Sequence, residues 1–147
     1  MIEINNLVKG CRLSCVDKKF FSTVAKKVLM GENRETETVS LAFVGKSEIK
    51  NLNKKFRKKN KATDVLSFDL KGPFGVVKCK DNFLGEIIIC PNVVAENAKK
   101  DKISAKREML KVFVHGILHL CGYDHEMSDK KAEEMEKKQE KYLSKIK

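Results

Sequence analysis

The chain has 147 residues, of which 41% are hydrophobic and 35% charged, and its 31 basic and 20 acidic side chains give a formal net charge of +11. This length and composition predict one soluble domain, over residues 1–147, that buries a core without disulfide bonds. No run approaches the roughly 18 apolar residues of a membrane span, and the first residues lack the pattern of a secretory signal. We therefore expect a cytoplasmic protein without a membrane partner.

The predicted elements begin with a short strand over residues 2–5. A helix over 17–30 follows, with its first residue as the cap and Gly31 as the stop. Residues 37–44 alternate between apolar and other side chains, which predicts a half-buried strand.

The middle of the chain alternates between helix and strand patterns. Ser47 is the expected cap of a helix. The apolar face of this helix consists of Ile49, Leu52 and Phe56. Strands are predicted at 65–70 and 83–90, on either side of a loop at 71–82. The second of these strands carries Glu86, a carboxylate that would need a buried partner such as a histidine or an arginine.

Three helices are predicted in the last third of the chain. Pro91 suits the first turn of a short helix that ends near Lys100. A longer helix over 104–121 is apolar almost all round, which predicts a position in the core. A charged helix over 128–145 carries a thin apolar stripe. The stripe consists of Met135, Tyr142 and Leu143.

Together these elements predict an α+β fold. We expect a small mixed sheet of about four strands, packed with about five helices and containing some parallel pairing. In this fold a zinc-binding histidine motif would lie on a buried helix and the turn that follows it.

All three histidines lie within the run HGILHLCGYDH. His115 and His119 are spaced i and i+4, which places them on one face of a helix, and Gly122 then allows the chain to bring His125 over that same face. Three imidazoles around one ion leave a fourth position open, which is typical of a catalytic zinc site. We therefore predict one Zn²⁺ held by His115, His119 and His125, although nickel or copper would also bind three nitrogen ligands.

The spacing of these histidines matches the metzincin pattern of zinc proteases except at one position. Metzincins carry a glutamate after the first histidine as general base, whereas this chain has Gly116 there. Asp124, beside the third histidine, has three interpretations. The first is that it orients a ligand imidazole, the second is that it acts on a proton of water at the metal, and the third is that it is simply a turn residue.

A basic stretch over residues 46–61 holds seven lysines, one arginine and one acidic residue. It predicts a track for a nucleic-acid backbone, although a solvated lysine face has the same pattern. Arg57 is the one arginine in this stretch, and its guanidinium is able to hold a phosphate through two parallel hydrogen bonds. The candidate RNA-binding residues are Lys54, Lys55, Arg57, Lys58 and Lys59.

The five cysteines lack the spacing of a disulfide framework or of a second zinc site. We therefore expect free thiols. Cys121 lies inside the histidine run, but its place on the apolar helix favours packing over metal binding.

The run HGILHLCGYDH, preceded by FRKKNKATDVLSF and FLGEIII, resembles the YbeY family of bacterial rRNA maturation factors, which are described as metal-dependent endoribonucleases. The chain matches every fixed position of the family's H-G-x-L-H-L-x-G-Y-D-H pattern, and the resemblance spans roughly residues 40–126. Three departures are Asp69 in place of a proline, Glu86 in place of an aspartate, and Phe56 as the aromatic residue before the arginine. None of them falls on the histidines.

The resemblance implies a zinc protein that cuts single-stranded RNA, with the family's functional arginine at Arg57. It also implies processing of the 3′ end of small-subunit rRNA, ribosome quality control, and contacts with the ribosome or its assembly factors. The nucleophile stays open between metal hydroxide and the 2′-hydroxyl of the RNA. Two other functions also stay open, namely a non-catalytic ribosome assembly factor with structural zinc and a zinc hydrolase of a peptide or amide.

Overall fold

The structure is a computed structural model that describes residues 2–6, 18–69, 82–123 and 128–146. The elements in chain order are β1 (Ile2–Asn6), α1 (Lys18–Gly31), β2 (Thr38–Phe43), α2 (Lys46–Arg57), β3 (Val65–Phe68), β4 (Phe83–Ile89), α3 (Pro91–Lys100), α4 (Ala105–Leu120) and α5 (Asp129–Lys145). The predicted α+β class is confirmed, with five helices in the described ranges. The expected cap at Asp17, the end of the 65–70 strand at Leu70, and residues 71–81 of the predicted loop lie outside the described residues.

The four strands form one mixed sheet in the order β1-β2-β4-β3. β1 and β4 both run parallel to β2, and β3 pairs antiparallel with β4 at the edge of the sheet. Parallel neighbours need a crossover connection, and α1 lies in the connection between β1 and β2. The predicted parallel pairing is therefore confirmed, and β3 presents the sheet edge beside which the functional site lies.

Strand β2 is buried on both faces, so the prediction of a half-buried strand was wrong: all six of its residues are buried. On one face, Val39, Leu41 and Phe43 belong to the larger core, which α1, α4 and α5 cover. On the other face, Ala42 and Val44 pack with the apolar side of α2. The strand residues on this second face are small, so the sequence alternates between large apolar and small side chains. This pattern looks half-buried, although α2 covers the small residues as well.

Glu86 finds its partner on the neighbouring strand. The Ser40 hydroxyl donates a hydrogen bond to Glu86 Oε2 at 3.4 Å. Burial raises the pKa of Glu86, and the bond from Ser40 offsets part of that rise. The need for a partner is confirmed, but among the described residues that partner is Ser40 and not the histidine or arginine that the sequence made possible.

Helix α2 begins one residue before its predicted cap. Its N-cap is Gly45, in an extended conformation and without a side-chain capping bond, and the helix starts at Lys46. Ser47 therefore lies inside the first turn, and its assignment as the cap was wrong. The helix ends at Arg57, and its C-cap Lys58 has the left-handed conformation that stops the helix before the rest of the basic stretch.

Helix α4 occupies the centre of the fold. Ser104 caps it by accepting a hydrogen bond from the amide of Arg107 at 3.0 Å, and Ser128 caps α5 by accepting one from the amide of Lys131 at 3.1 Å. Phe113 and Ile117 on α4 are fully buried, as predicted for the apolar helix. The predicted α5 stripe is also confirmed as buried, and it consists of Met135, Tyr142 and Leu143.

No helix in the described ranges combines the length and the apolarity needed to span a bilayer.

Candidate functional site

His115 and His119 face each other across one turn of α4. Their Nε2 atoms are 3.1 Å apart, and their rings meet edge to face with centroids separated by 4.6 Å. A tetrahedral zinc ion with Zn–N bonds of about 2.0–2.1 Å holds two nitrogens roughly 3.3 Å apart. The two nitrogens therefore have the separation of neighbouring ligands of one ion, and the predicted placement on one helix face is confirmed.

The chain reverses immediately after the second histidine, through a Schellman motif. Gly122 has a positive φ of 102°, and its amide donates to the carbonyl of His119 at 3.0 Å. The amide of Tyr123 donates to the carbonyl of Leu118 at 3.1 Å. This pair of bonds satisfies the last carbonyls of the helix and requires a residue that tolerates the left-handed conformation. The predicted helix stop at Gly122 is therefore confirmed.

Asp124 and His125 lie outside the described residues. Within the ranges that the structure describes, no group of three histidine, cysteine or acidic side chains is arranged to hold a metal ion. The three-histidine ligand set and the roles of Asp124 therefore stay predictions.

Gly116 brings α4 unusually close to the sheet. A Cβ atom at this position would lie 3.2 Å from two carbons of Ile87 and 3.2 Å from Ser67 Oγ. The Ser67 hydroxyl also donates to the Gly116 carbonyl at 3.4 Å, which ties the helix to β3. A glutamate at this position would have to enter the packed interface between helix and sheet.

Gln139 of α5 contacts the ring of the first histidine. Its Oε1 atom lies 2.9 Å from His115 Nδ1, and the residue is 8% exposed. Sequence reasoning missed Gln139, because it lies in a helix of mostly charged side chains. The signal that identifies it is its spacing, four residues after Met135 and three before Tyr142, which places it in the apolar stripe.

The two histidines open onto a cavity of about 380 Å³ between the end of α2, β3, α4 and α5. Arg57 and Lys59 line the same cavity, so the structure brings these predicted residues together with His115 and His119. Arg57 Nη2 donates to the carbonyl of Ser67 at 3.4 Å, which holds the exposed guanidinium beside β3.

The remaining lysines predicted to bind RNA are exposed at the end of α2 but do not line the cavity. They are Lys54, Lys55 and Lys58. Lys55 lies over the ring of Phe56, with its Nζ 5.3 Å from the ring centroid. At the other end of the basic stretch, Lys46 pairs with Glu96 of α3. Lys61, outside the predicted set, also lines the cavity.

Glu108 is a second cavity residue that sequence reasoning missed. It is 4% exposed, and its Oε2 atom has no hydrogen-bond partner among the described residues. Burial raises the pKa of this carboxyl, an effect that Lys111 partly offsets and that Asp101 and Asp64 increase. Its position seven residues before His115 places it on the histidine face of α4, which is the signal that identifies it.

Cys121 packs against the larger core, as predicted. Burial raises the pKa of its thiol to about 11. Because a metal binds the thiolate, this environment disfavours Cys121 as a ligand.

Comparisons with known proteins agree on one family. A model of the family described as Endoribonuclease YbeY matches residues 5–147. A Thermotoga petrophila protein named endoribonuclease YbeY is 44% identical over 146 residues, which cover 99% of this chain and 89% of that protein. A protein of the same name from Thermodesulfovibrio yellowstonii is 46% identical over 110 residues, which cover 74% of this chain and 67% of that protein.

The fold is also similar to a solution structure from Thermotoga maritima. That structure superposes with a TM-score of 0.68 at 36% identity, over 99% of this chain and 89% of the other. The family resemblance that the histidine motif indicated is confirmed by these comparisons. The chain therefore belongs to the YbeY family of endoribonucleases.

Proposed function

We propose that this endoribonuclease is metal-dependent, cuts single-stranded RNA, and acts in rRNA maturation at the 3′ end of small-subunit rRNA and in ribosome quality control. Its proposed partners are rRNA and the ribosome or its assembly factors, and its proposed place is the cytoplasm. One observation supports this function above the others. Two imidazoles with facing Nε2 atoms share a cavity with an arginine.

The proposed ligands of one Zn²⁺ are His115, His119 and His125. Neutral imidazole nitrogens suit zinc, and the separation of the first two fits neighbouring ligands. When bound, zinc supplies Lewis acidity towards a phosphoryl oxygen and lowers the pKa of a water molecule. The remaining chemistry belongs to side chains of this chain.

Arg57 is the proposed phosphate-binding group. One of its N–H groups donates to the Ser67 carbonyl, and the guanidinium has further donors for phosphate oxygens. In the cavity these donors would stabilise negative charge that develops on the phosphate during cleavage. Lys59 and Lys61 line the same cavity, where they would hold the neighbouring backbone.

Asp124 is the proposed second catalytic residue. Its carboxylate is adjacent in sequence to His125. It would either orient that imidazole or accept a proton from the attacking group. Asp124→Asn separates the two roles, because loss of zinc affinity supports orientation and loss of cleavage at unchanged zinc affinity supports proton transfer.

Two measurements on the purified chain test the proposal. Elemental analysis should find about one zinc ion per chain. Cleavage of a single-stranded RNA should exceed that of a duplex containing the same strand, stop with a chelator, and return with added zinc. His119→Ala should abolish both zinc binding and cleavage. Unchanged cleavage by fully metal-free protein would contradict the proposal.

The place of the activity in ribosome assembly needs a separate measurement. Immature small ribosomal subunits incubated with the wild-type chain should acquire a mature rRNA 3′ end, and those incubated with Arg57→Ala should not. Maturation by both proteins would instead favour a non-catalytic assembly factor.

A peptide or amide hydrolase is less well supported by the geometry around Gly116. The chain has glycine where metzincins carry their glutamate, and a Cβ at this position would already lie only 3.2 Å from Ile87 and Ser67. A screen that found peptide turnover and no RNA turnover would nevertheless favour that function.

A further inference from the structure

We infer that Gln139 is a positioning residue that fixes the tautomer and the ring orientation of His115, so that His115 Nε2 is presented to the metal. The inference rests on the proposed zinc site, but the tautomer of His115 depends only on atoms of this chain.

The glutamine atom beside Nδ1 indicates which nitrogen of His115 carries the proton. Gln139 Oε1 lies 2.9 Å from His115 Nδ1, and an amide oxygen accepts but does not donate. The proton of the neutral ring therefore sits on Nδ1, and Nε2 keeps its lone pair. That lone pair belongs to the atom 3.1 Å from His119 Nε2, and both histidines line the cavity.

The position of Gln139 is set by the packing of α5. Met135, Tyr142 and Leu143 are buried on one face of this helix, and Gln139 lies on that face between them. Its neighbour Glu140 is exposed. A buried glutamine amide without partners costs about 1–3 kcal/mol, so a glutamine in an apolar stripe needs a specific partner. The partner that the structure provides for Oε1 is His115.

Helix α5 is in turn anchored to α1. The hydroxyl of Tyr142 donates to Glu32, and Lys138 Nζ lies 3.5 Å from the same carboxylate. Gly31 allows the ring of Tyr142 to approach α1 closely, because a Cβ there would lie 2.6 Å from Tyr142 Cε1. These contacts fix α5 independently of the histidines. Gln139 is therefore able to hold the ring of His115 in one orientation.

Partners of this kind commonly change metal affinity by about 10–100-fold when they are removed. Gln139→Met replaces the amide by a side chain of similar length that lacks a strong acceptor. We expect it to weaken zinc binding about tenfold or more. Gln139→Glu keeps an oxygen acceptor at the same place and should retain or increase zinc affinity, because a carboxylate makes the imidazole a better donor to metal.

The matched control is Ser144→Met, also on α5. Ser144 is exposed, and its hydroxyl donates to the carbonyl of Lys141 on its own helix, at 2.7 Å. This substitution should leave zinc affinity unchanged. Competition with a chromophoric chelator measures the affinity of each variant, and circular dichroism establishes that each is folded.

A second measurement separates this inference from the proposed function. Nitrogen-15 NMR of the metal-free chain, in mildly alkaline buffer, reports which ring nitrogen of His115 is protonated. The wild type and Gln139→Glu should show the Nδ1–H tautomer, whereas Gln139→Met should show a mixture or the other tautomer. Should the methionine variant fail to fold, Gln139→Asn serves in its place, because it keeps the amide but withdraws it by one carbon.

The outcomes are distinguishable. A folded Gln139→Met protein with wild-type zinc affinity and the wild-type His115 tautomer would overturn the inference. A wild-type chain that binds no zinc but shows the Nδ1–H tautomer would overturn the proposed metal site and leave the contact between Gln139 and His115 supported.

Discussion

Individual residues determine which atoms face the cavity. Gly116 lets α4 approach β3, so that the turn of helix carrying His115 and His119 lies beside Ser67. Ser67 contributes two polar groups to this arrangement, since its hydroxyl donates to the Gly116 carbonyl and its own carbonyl accepts from Arg57. One edge-strand residue therefore relates the position of the arginine to that of the histidines.

Arg57→Ala should reduce RNA cleavage by about 100-fold or more and leave zinc content unchanged. The loss of one preorganised donor to a charged transition state typically has this effect. Arg57 is exposed, so thermal stability should change little. Arg57→Lys should recover only part of the activity, because lysine keeps the charge but not the paired donors.

The control for Arg57 is Lys50→Ala, which removes one positive charge from an exposed position of the same helix that does not line the cavity. Cleavage by this variant should stay close to that of the wild type. Full activity of Arg57→Ala would contradict the assignment of Arg57.

Glu108→Gln should stabilise the protein at neutral pH, by about 1 kcal/mol. Burial raises the pKa of Glu108 in the folded state, so folding disfavours its ionised form. The resulting loss of stability begins as pH rises through the pKa that Glu108 has in the unfolded state, near 4.5. It is complete above the raised pKa of the folded state. Lys111 opposes this effect, and Asp101 and Asp64 increase it.

Urea unfolding at several pH values measures this effect. The difference between Glu108→Gln and the wild type should be largest at neutral pH and vanish below the unfolded pKa. Glu140→Gln, at an exposed position of α5, should follow the wild type at every pH. A glutamine variant that is less stable at neutral pH would show that Glu108 has a favourable partner.

At the scale of elements, local signals determined most helix boundaries. Pro91 predicted the start of α3, and the helix ends at Lys100 as expected. The starts of α4 and α5 were expected near Ser104 and Ser128. Both residues are the N-caps, and their hydroxyls accept hydrogen bonds from amides of the first turn. Gly122 predicted the end of α4, because the Schellman turn requires a positive φ.

Tertiary contacts account for what the sequence did not predict. The burial of both faces of β2 depends on α2 covering small residues such as Ala42, which no local pattern specifies. The pairing of Ser40 with Glu86 joins residues on different strands. Gln139 and His115 are 24 residues apart in sequence, so spacing places each on a helix face but does not establish that the two faces meet.

The junction of α1 with α5 offers a test at this scale. Gly31→Ala should destabilise the protein by about 2 kcal/mol, because the new Cβ would overlap the ring of Tyr142 and push α5 outward. The same shift should withdraw Gln139 from His115 and weaken zinc binding. Urea unfolding and chelator competition measure the two effects.

Gly45→Ala is the control for this junction, because a Cβ at Gly45 meets nothing within 4 Å. As a change at an N-cap, it should cost only about 0.5 kcal/mol and leave zinc affinity unchanged. Equal stability losses in the two alanine variants would show that the contact of Gly31 with Tyr142 contributes little.

At the scale of the whole molecule, the positive charge has two possible meanings. The formal net charge of +11 attracts RNA at long range wherever the lysines lie. A binding track requires in addition that particular lysines neutralise phosphates. The structure favours a track, since Arg57, Lys59 and Lys61 all line the histidine cavity.

Two double variants of equal charge separate these meanings. Lys54→Gln with Lys59→Gln removes two exposed charges from the end of α2 and the cavity. Lys18→Gln with Lys26→Gln removes two exposed charges from α1, away from the residues that line the cavity. Each pair lowers the net charge by the same amount, so any general attraction falls equally in both.

Fluorescence anisotropy with a labelled single-stranded RNA, at a series of salt concentrations, measures the number of counterions released. Each phosphate contact contributes about 0.7 to the slope of log affinity against log salt. The pair containing Lys59 should therefore reduce the slope by about 0.7 if Lys59 alone contacts a phosphate and by about 1.4 if Lys54 does so too, and the pair at α1 should leave it unchanged while slowing association slightly. Equal slopes in the two variants would mean that the lysines at the end of α2 bind no phosphate, and that the arginine holds the RNA with the remaining cavity residues.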